Sequence, residues 1–187
     1  MISLRNYIQT LVATKSGDHT AKAEGFLSIN PLQHIDLLGI LLFAVSGFGW
    51  SKKPPINEYS LPKKLHRLLV YMSPILVNIS FVLLTLLILV ILKVFNIESS
   101  YIILEFLYKI VHVNLAYLVI HLIPLPPLDG YYMLTTLLPQ KLSFSFETLR
   151  EYTPWIIALI LSPYSPVYYE INALLSTYTW SILGLVY

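Results

Sequence analysis

The chain has 187 residues, 56% of them hydrophobic and only 12% charged, with a net charge of +2 and no cysteine. Soluble domains carry about 25% charged residues, so a water-soluble globular domain is excluded, and so small a positive excess excludes a nucleic-acid-binding surface. The lack of cysteine excludes disulfides and thiolate metal sites.

Residues 1–15 read as a helix with apolar Ile2, Leu4, Ile8, Leu11 and Val12, while Arg5, Asn6 and Gln9 fall at helical spacing on nearly one face. The segment is short and polar for a spanning helix. It reads as the end of a membrane helix whose beginning is missing, or as a helix lying against protein. No cleavable signal pattern is visible in it. Gly17 and Asp18 end it. Residues 19–35 are polar, and the alternation at Phe26, Ser28 and Asn30 predicts a small β element near residues 24–31.

Asp36 to Trp50 is apolar but only about 22 Å long as a helix, so it tilts into a thinner region or inserts without crossing. Residues 51–67 form a proline-broken basic loop with Lys52, Lys53, Lys63, Lys64 and Arg67 against Glu58. This positive-inside signal places the loop on the cytoplasmic or matrix side, and the lysines read as interfacial topology signals. Leu68 to Leu92 carries no charge and is the clearest transmembrane helix, with Pro74 and Asn78 inside it. Tyr101 to Ile123 is a second span. Its Glu105 and Lys109 stand in the favourable order for a helical pair, and His112, Asn114 and His121 lie deeper. After residue 139 come a polar loop over 140–151 and two apolar segments, 152–162 and 171–187. The Pro- and Tyr-rich stretch between them suits a membrane interface. The expected fold is an all-α integral membrane protein of about five to six membrane segments, forming one domain over residues 1–187.

Between the second span and the segment ending at Pro139 lies HLIPLPPLDGYYML, residues 121–134, with three prolines and one carboxylate, Asp129. Irregular backbone at membrane depth must be buried in protein or line a cavity, and an ionisable residue there marks a functional site.

PLPPLDG, residues 124–130, resembles the third motif of the site-2 protease family, which are intramembrane zinc metalloproteases. Three further blocks are similar to that family in order and spacing: KSGDHTAK (15–22), GFLSINPLQHIDLLG (25–39) and FGWSKKPPIN (48–57). The retained motif positions are Asn30, Pro31, His34, Asp36, Trp50, Pro126, Asp129 and Gly130. The resemblance implies a site-2-protease-like core in which H-E-x-x-H on the first helix supplies two zinc-binding histidines and a glutamate base. The aspartate of Leu-Asp-Gly is the third ligand. Counting back from Gly17, the H-E-x-x-H positions fall on Arg5, Asn6, Tyr7, Ile8 and Gln9. The chain also departs from the family at Ser73, at Leu37, at His121 and in the spacing of Asn78 from Pro74.

Only Asp129 of the family's zinc ligands remains. A guanidinium is always charged and repels a dication, a glutamine offers a weak neutral oxygen, and the base is gone. The resemblance thus implies the fold and argues against the activity: no catalytic residue, no metal, zinc absent. Since the two positions converge on one metal in the family, Arg5 and Asp129 are expected to form a salt bridge in its place. The expected function is a catalytically inactive, membrane-embedded adaptor or structural subunit. It would bind a partner transmembrane helix or peptide within a larger complex, among lipids. The expected location is a bacterial or archaeal plasma membrane or an organelle inner membrane. The alternative is an active intramembrane metallopeptidase with unusual ligands, such as His34 or His121 with Asp129. His112 is a weaker metal candidate, and His34 with Asp36 reads as a structural loop pair.

Overall fold

The computed structural model describes residues 1–46, 49–97, 100–139 and 151–186; the polar loop expected over 140–151 lies almost wholly outside them. Among the described residues eight α-helices follow one another: α1 Ile2–Ser16, α2 Thr20–Ala23, α3 Leu37–Ser46, α4 Lys64–Val94, α5 Tyr101–His121, α6 Asp129–Leu137, α7 Thr153–Ile160 and α8 Pro166–Val186. Two 3-10 turns, Pro31–His34 and Glu58–Ser60, sit in the connections.

Among the described residues, two helices are long and apolar enough to cross a membrane, α4 and α5. At 1.5 Å per residue they reach about 46 Å and about 31 Å. This is fewer than the five to six segments expected from the sequence. The other apolar stretches are cut short: α3 has 10 residues and α7 has 8, each well under a bilayer's hydrocarbon thickness of roughly 30 Å. α8 is as long as α5 but carries Glu170, Asn172 and several Ser, Thr and Tyr side chains. On α4 and α5 large apolar side chains such as Leu83, Leu84, Leu87, Ile102 and Phe106 face outward.

The β element expected near residues 24–31 does not form; no strand occurs among the described residues. Local chemistry accounts for the difference. Asn30 Oδ1 accepts the Leu32 amide at 3.1 Å and Pro31 fixes the next φ, which starts a 3-10 turn rather than an extended edge. Alternation in this stretch reflects Phe26 and His34 turning inward against each other, with ring centroids 5.6 Å apart.

α1 packs along α4, and its buried residues are Arg5, Asn6, Gln9, Thr10 and Ala13. Its inner face is therefore polar except for Ala13, which joins Leu61, Val70 and Tyr71 in a small apolar cluster. α1 stops at Gly17, whose φ of 112° lies in the left-handed region open to glycine. Asp18, fully buried, then accepts the Thr20 amide at 2.9 Å and the Asn57 amide at 2.7 Å. Those two bonds tie the end of α1 to α2 and to the loop before α4. Within α4, Pro74 removes an amide from the ladder, and the carbonyl of Val70 that this frees accepts the Ser73 hydroxyl at 2.8 Å.

The larger apolar cluster joins α3, Trp50, α5, Leu128, α7 and α8 through Leu42, Ala116, Ile120, Ile157, Leu161 and Leu175. It supports the turn that carries Asp129 from one side. Gly130 fixes the approach of that turn to the end of α5, because a Cβ there would overlap the backbone carbonyl of Leu122. Backbone on both sides leaves nothing flexible to yield. Gly130→Ala is therefore expected to destabilise the fold by about 1–3 kcal/mol, the range for overpacking. Thermal or denaturant unfolding in detergent checks it; an unchanged midpoint would show that the turn can shift.

Candidate functional site

The site lies where α1, the loop after α3, the end of α5 and the start of α6 meet. Each segment arrives for a local reason. The kinked run after α5 contains a cis peptide bond between Pro126 and Pro127, with Pro126 buried. It delivers Asp129 as the first residue of α6, where a carboxylate also suits the helix dipole. The helical period of α1 places Arg5 and Gln9 one turn apart on its inner face.

Asp129 is 2% exposed, and cations occupy both of its oxygens. Arg5 Nη2 donates to Oδ2 at 2.6 Å, and Lys53 Nζ donates to Oδ1 at 2.5 Å. Lys53 Nζ also donates to the Pro127 carbonyl at 3.2 Å and lies 4.3 Å from the centroid of the Tyr132 ring. The Arg5 guanidinium lies 5.4 Å from the centroid of the Tyr117 ring. Burial pushes the Lys53 ammonium below its ordinary value, against the upward pull of Asp129.

His121 closes the arrangement. Its Nδ1 is 3.0 Å from Asp129 Oδ2 and 3.1 Å from Arg5 Nη2, and its ring stacks on Tyr117. The nitrogen either donates to the carboxylate or accepts from the guanidinium; one tautomer excludes the other.

Asn6, next to Arg5 on α1, points to other partners. Its Nδ2 donates to the Lys52 carbonyl at 2.7 Å and to His34 Nδ1 at 3.2 Å. The imidazole of His34 must then accept at Nδ1 and donate from Nε2, which finds the Ser28 carbonyl at 2.8 Å. A backbone bond from the Lys52 amide to the His34 carbonyl completes this knot. Asp36 does not pair with His34 as a loop partner; its Oδ1 accepts the Gly39 amide at 2.8 Å and caps α3. Trp50 is buried in the larger apolar cluster, and Asn30 and Pro31 are exposed at their turn. His112 has its contacts with Tyr108 and Thr179, none of them at Asp129.

Sequence reasoning had assigned Lys53 to membrane topology and so missed it as a partner of Asp129. The available signal was its place immediately before Pro54 in the Gly-Trp-x-Lys-Pro-like loop, although Lys52 fits that pattern by its spacing from Trp50.

A Leu-Asp-Gly carboxylate aimed at the inner face of the first helix, beside two helices able to cross a membrane, defines the class as site-2-protease-like. The chain is 32% identical over 155 residues, 80% of its length, to a Bacillus subtilis protein described as "Putative zinc metalloprotease YwhC", and the match covers 70% of that protein. It belongs to the site-2 protease family. No protein-family model and no solved structure matches the chain.

The residues present do not fit the family's zinc. Among the described residues no group of three or more His, Asp or Glu side chains could hold a metal. Where a dication would approach Asp129, a guanidinium and an ammonium already bind both oxygens, and each repels it.

The pair Arg5–Asp129 is buried on both sides. Removing one member of a buried ion pair costs about 3–5 kcal/mol, while exchanging both for apolar groups of similar size is often near neutral. Asp129→Leu alone is expected to lose stability in that range, and Arg5→Met with Asp129→Leu to recover most of it, Lys53 being 17% exposed and able to turn to solvent. A double-mutant cycle of unfolding midpoints reads the coupling. Additive losses would mean that the two groups do not sense each other.

Proposed function

We propose that this chain is a catalytically inactive member of its family: a single membrane-embedded domain over residues 1–187 that serves as an adaptor or structural subunit. The observation that carries the reading is Arg5 bound to Asp129 at 2.6 Å. The group that stands in the place of the first metal-binding histidine neutralises the last metal-binding carboxylate. Asn6, in place of the base, has its amide donors committed to His34 and Lys52, so it holds two loops instead of a water. The partner is a transmembrane helix or peptide of a larger membrane complex, with lipid around it and no nucleic acid involved. In support, α3 is too short to cross a bilayer yet turns Leu37, Leu41, Phe43 and Val45 outward. The basic loop 51–67 faces the cytoplasm or matrix in this reading, in a plasma membrane or organelle inner membrane.

A second reading keeps the activity: an intramembrane metallopeptidase with unusual ligands. Its one favourable observation is His121 Nδ1 at 3.0 Å from Asp129. His34 does not serve it, because both ring nitrogens are engaged with Asn6 and Ser28.

Metal analysis of the purified chain separates the two. Zinc well below one per chain is expected; stoichiometric zinc with chelator-sensitive cleavage of a membrane peptide would overturn the inactive reading. A gain-of-function arm uses Arg5→His, Asn6→Glu and Gln9→His together. With Asp129 these restore the family's ligand set and base, so uptake of about one zinc per chain is expected. Lys53 remains on Asp129 in the triple variant, so failure to bind zinc in a folded variant that also carries Lys53→Met would mean that α1 does not occupy the family's position. For the adaptor role, extraction in mild detergent is expected to yield the chain with another membrane polypeptide at fixed stoichiometry. A lone, well-folded monomer would count against it.

A further inference from the structure

Three buried polar atoms around the site have no partner: Arg5 Nη1, Gln9 Nε2 and His121 Nε2. The residues that bear them line one cavity, together with Lys53, Trp50 and Asp129. The cavity leaves ≈ 10 Å³ for the centre of a water-sized species, enough for one small occupant and no more. Leaving a buried polar group unbonded costs about 1–3 kcal/mol, and more when it is charged, so three around one space point to something that bonds them together.

The chemistry of the lining selects the occupant. The guanidinium nitrogen and the amide nitrogen can only donate. Arg5 and Lys53 bring two positive charges, and Asp129 is the one carboxylate among the lining residues, which leaves an excess of one positive charge at a site shielded from water. A metal cation meets the wrong charge and the wrong ends of these groups. A polyatomic anion such as sulfate or phosphate exceeds the space. A water answers the donors but leaves the charge. We propose that the cavity binds a single monatomic anion, chloride in the cell, held by N–H groups of Arg5, Gln9 and His121 at the place the family gives to a cation. The anion sets the His121 tautomer: Nδ1 accepts from Arg5 Nη2, 3.1 Å away, and Nε2–H points its proton at the anion.

The proposal rests on the zinc-free reading of the site but not on the adaptor role. Its test uses the full chain in mild detergent, with metal content measured on the same preparation. Thermal unfolding is followed in sodium chloride against sodium gluconate at matched ionic strength, with bromide and sulfate as further salts. A rise of the midpoint with the logarithm of chloride or bromide concentration, roughly 5 °C at about ten times Kd, and no rise in gluconate or sulfate, is expected. Gln9→Leu keeps every charge and removes one donor, so the same rise should need about 10-fold more chloride, the worth of one bond to a charged group. Arg5→Gln removes the charge excess and should abolish the response. Equal midpoints in chloride and gluconate for the zinc-free wild type would overturn the proposal and leave water as the occupant. A chloride response unaltered in Gln9→Leu would overturn it too, by placing the anion elsewhere. Stoichiometric zinc would sink this proposal and the inactive reading together, whereas a monomeric preparation that responds to chloride would sink only the adaptor role.

Discussion

One buried carboxylate sets the terms for the structure around it. An ionised Asp129 with no partner, 2% exposed, would cost several kcal/mol or lose its charge. The family's solution is a metal. Here two basic side chains do the same electrostatic work from different directions, Arg5 from α1 and Lys53 from the loop after α3. Each of these bonds is also a cross-link between segments far apart in the chain, Arg5 and Asp129 being 124 positions from each other. The charge pairs thus do mechanically what the metal does, drawing the first helix, a loop and the Leu-Asp-Gly turn onto one point. They do it with nothing that must be bound first.

The rest of the inner surface follows from the same choice. α1 presents Arg5, Asn6, Gln9 and Thr10 inward, while α4 and α5 turn leucines and isoleucines outward. Polar residues inside and apolar residues outside is the order a lipid solvent favours, since only protein can satisfy polar groups at that depth. Asn6 belongs to the same network. Its amide holds His34 and the Lys52 carbonyl, and through them it fixes the loop from which Lys53 reaches Asp129. Asn6 is thereby part of the scaffold for a salt bridge.

How much of this was legible in the sequence depended on the range of the interaction. The long apolar run that forms α4 and the Glu105–Lys109 pair on α5, 2.8 Å apart, are local patterns and could be read directly. The contact of Arg5 with Asp129 has no local signature; only the likeness to a family whose metal joins those two positions brought them together. Lys53 escaped because two adjacent lysines before a proline look like a topology signal, and nothing in their order says which one turns inward. The strand expected near residues 24–31 failed for the opposite reason. The alternation was real, but an asparagine cap and a proline at 30–31 turned it into a 3-10 turn. Of the five to six expected segments, two are long and apolar enough to span among the described residues, since hydrophobicity is visible in a sequence and helix length is not: α3 has 10 described residues and α7 has 8.

One substitution does not turn this arrangement into a zinc site. Replacing Arg5 with a ligand would still leave Lys53 on Asp129 Oδ1 and Asn6 bound into its two loops. Replacing Asn6 with a glutamate would add a carboxylate beside His34 while removing the donor that fixes that ring. Each of these two steps breaks a satisfied buried bond before any metal is present to compensate, and a buried group left unpaired costs about as much as a large fraction of a marginal stability. Arg5 and Asn6 are thus each tied to partners on other segments, Arg5 to Asp129 and Asn6 to His34 and the Lys52 carbonyl.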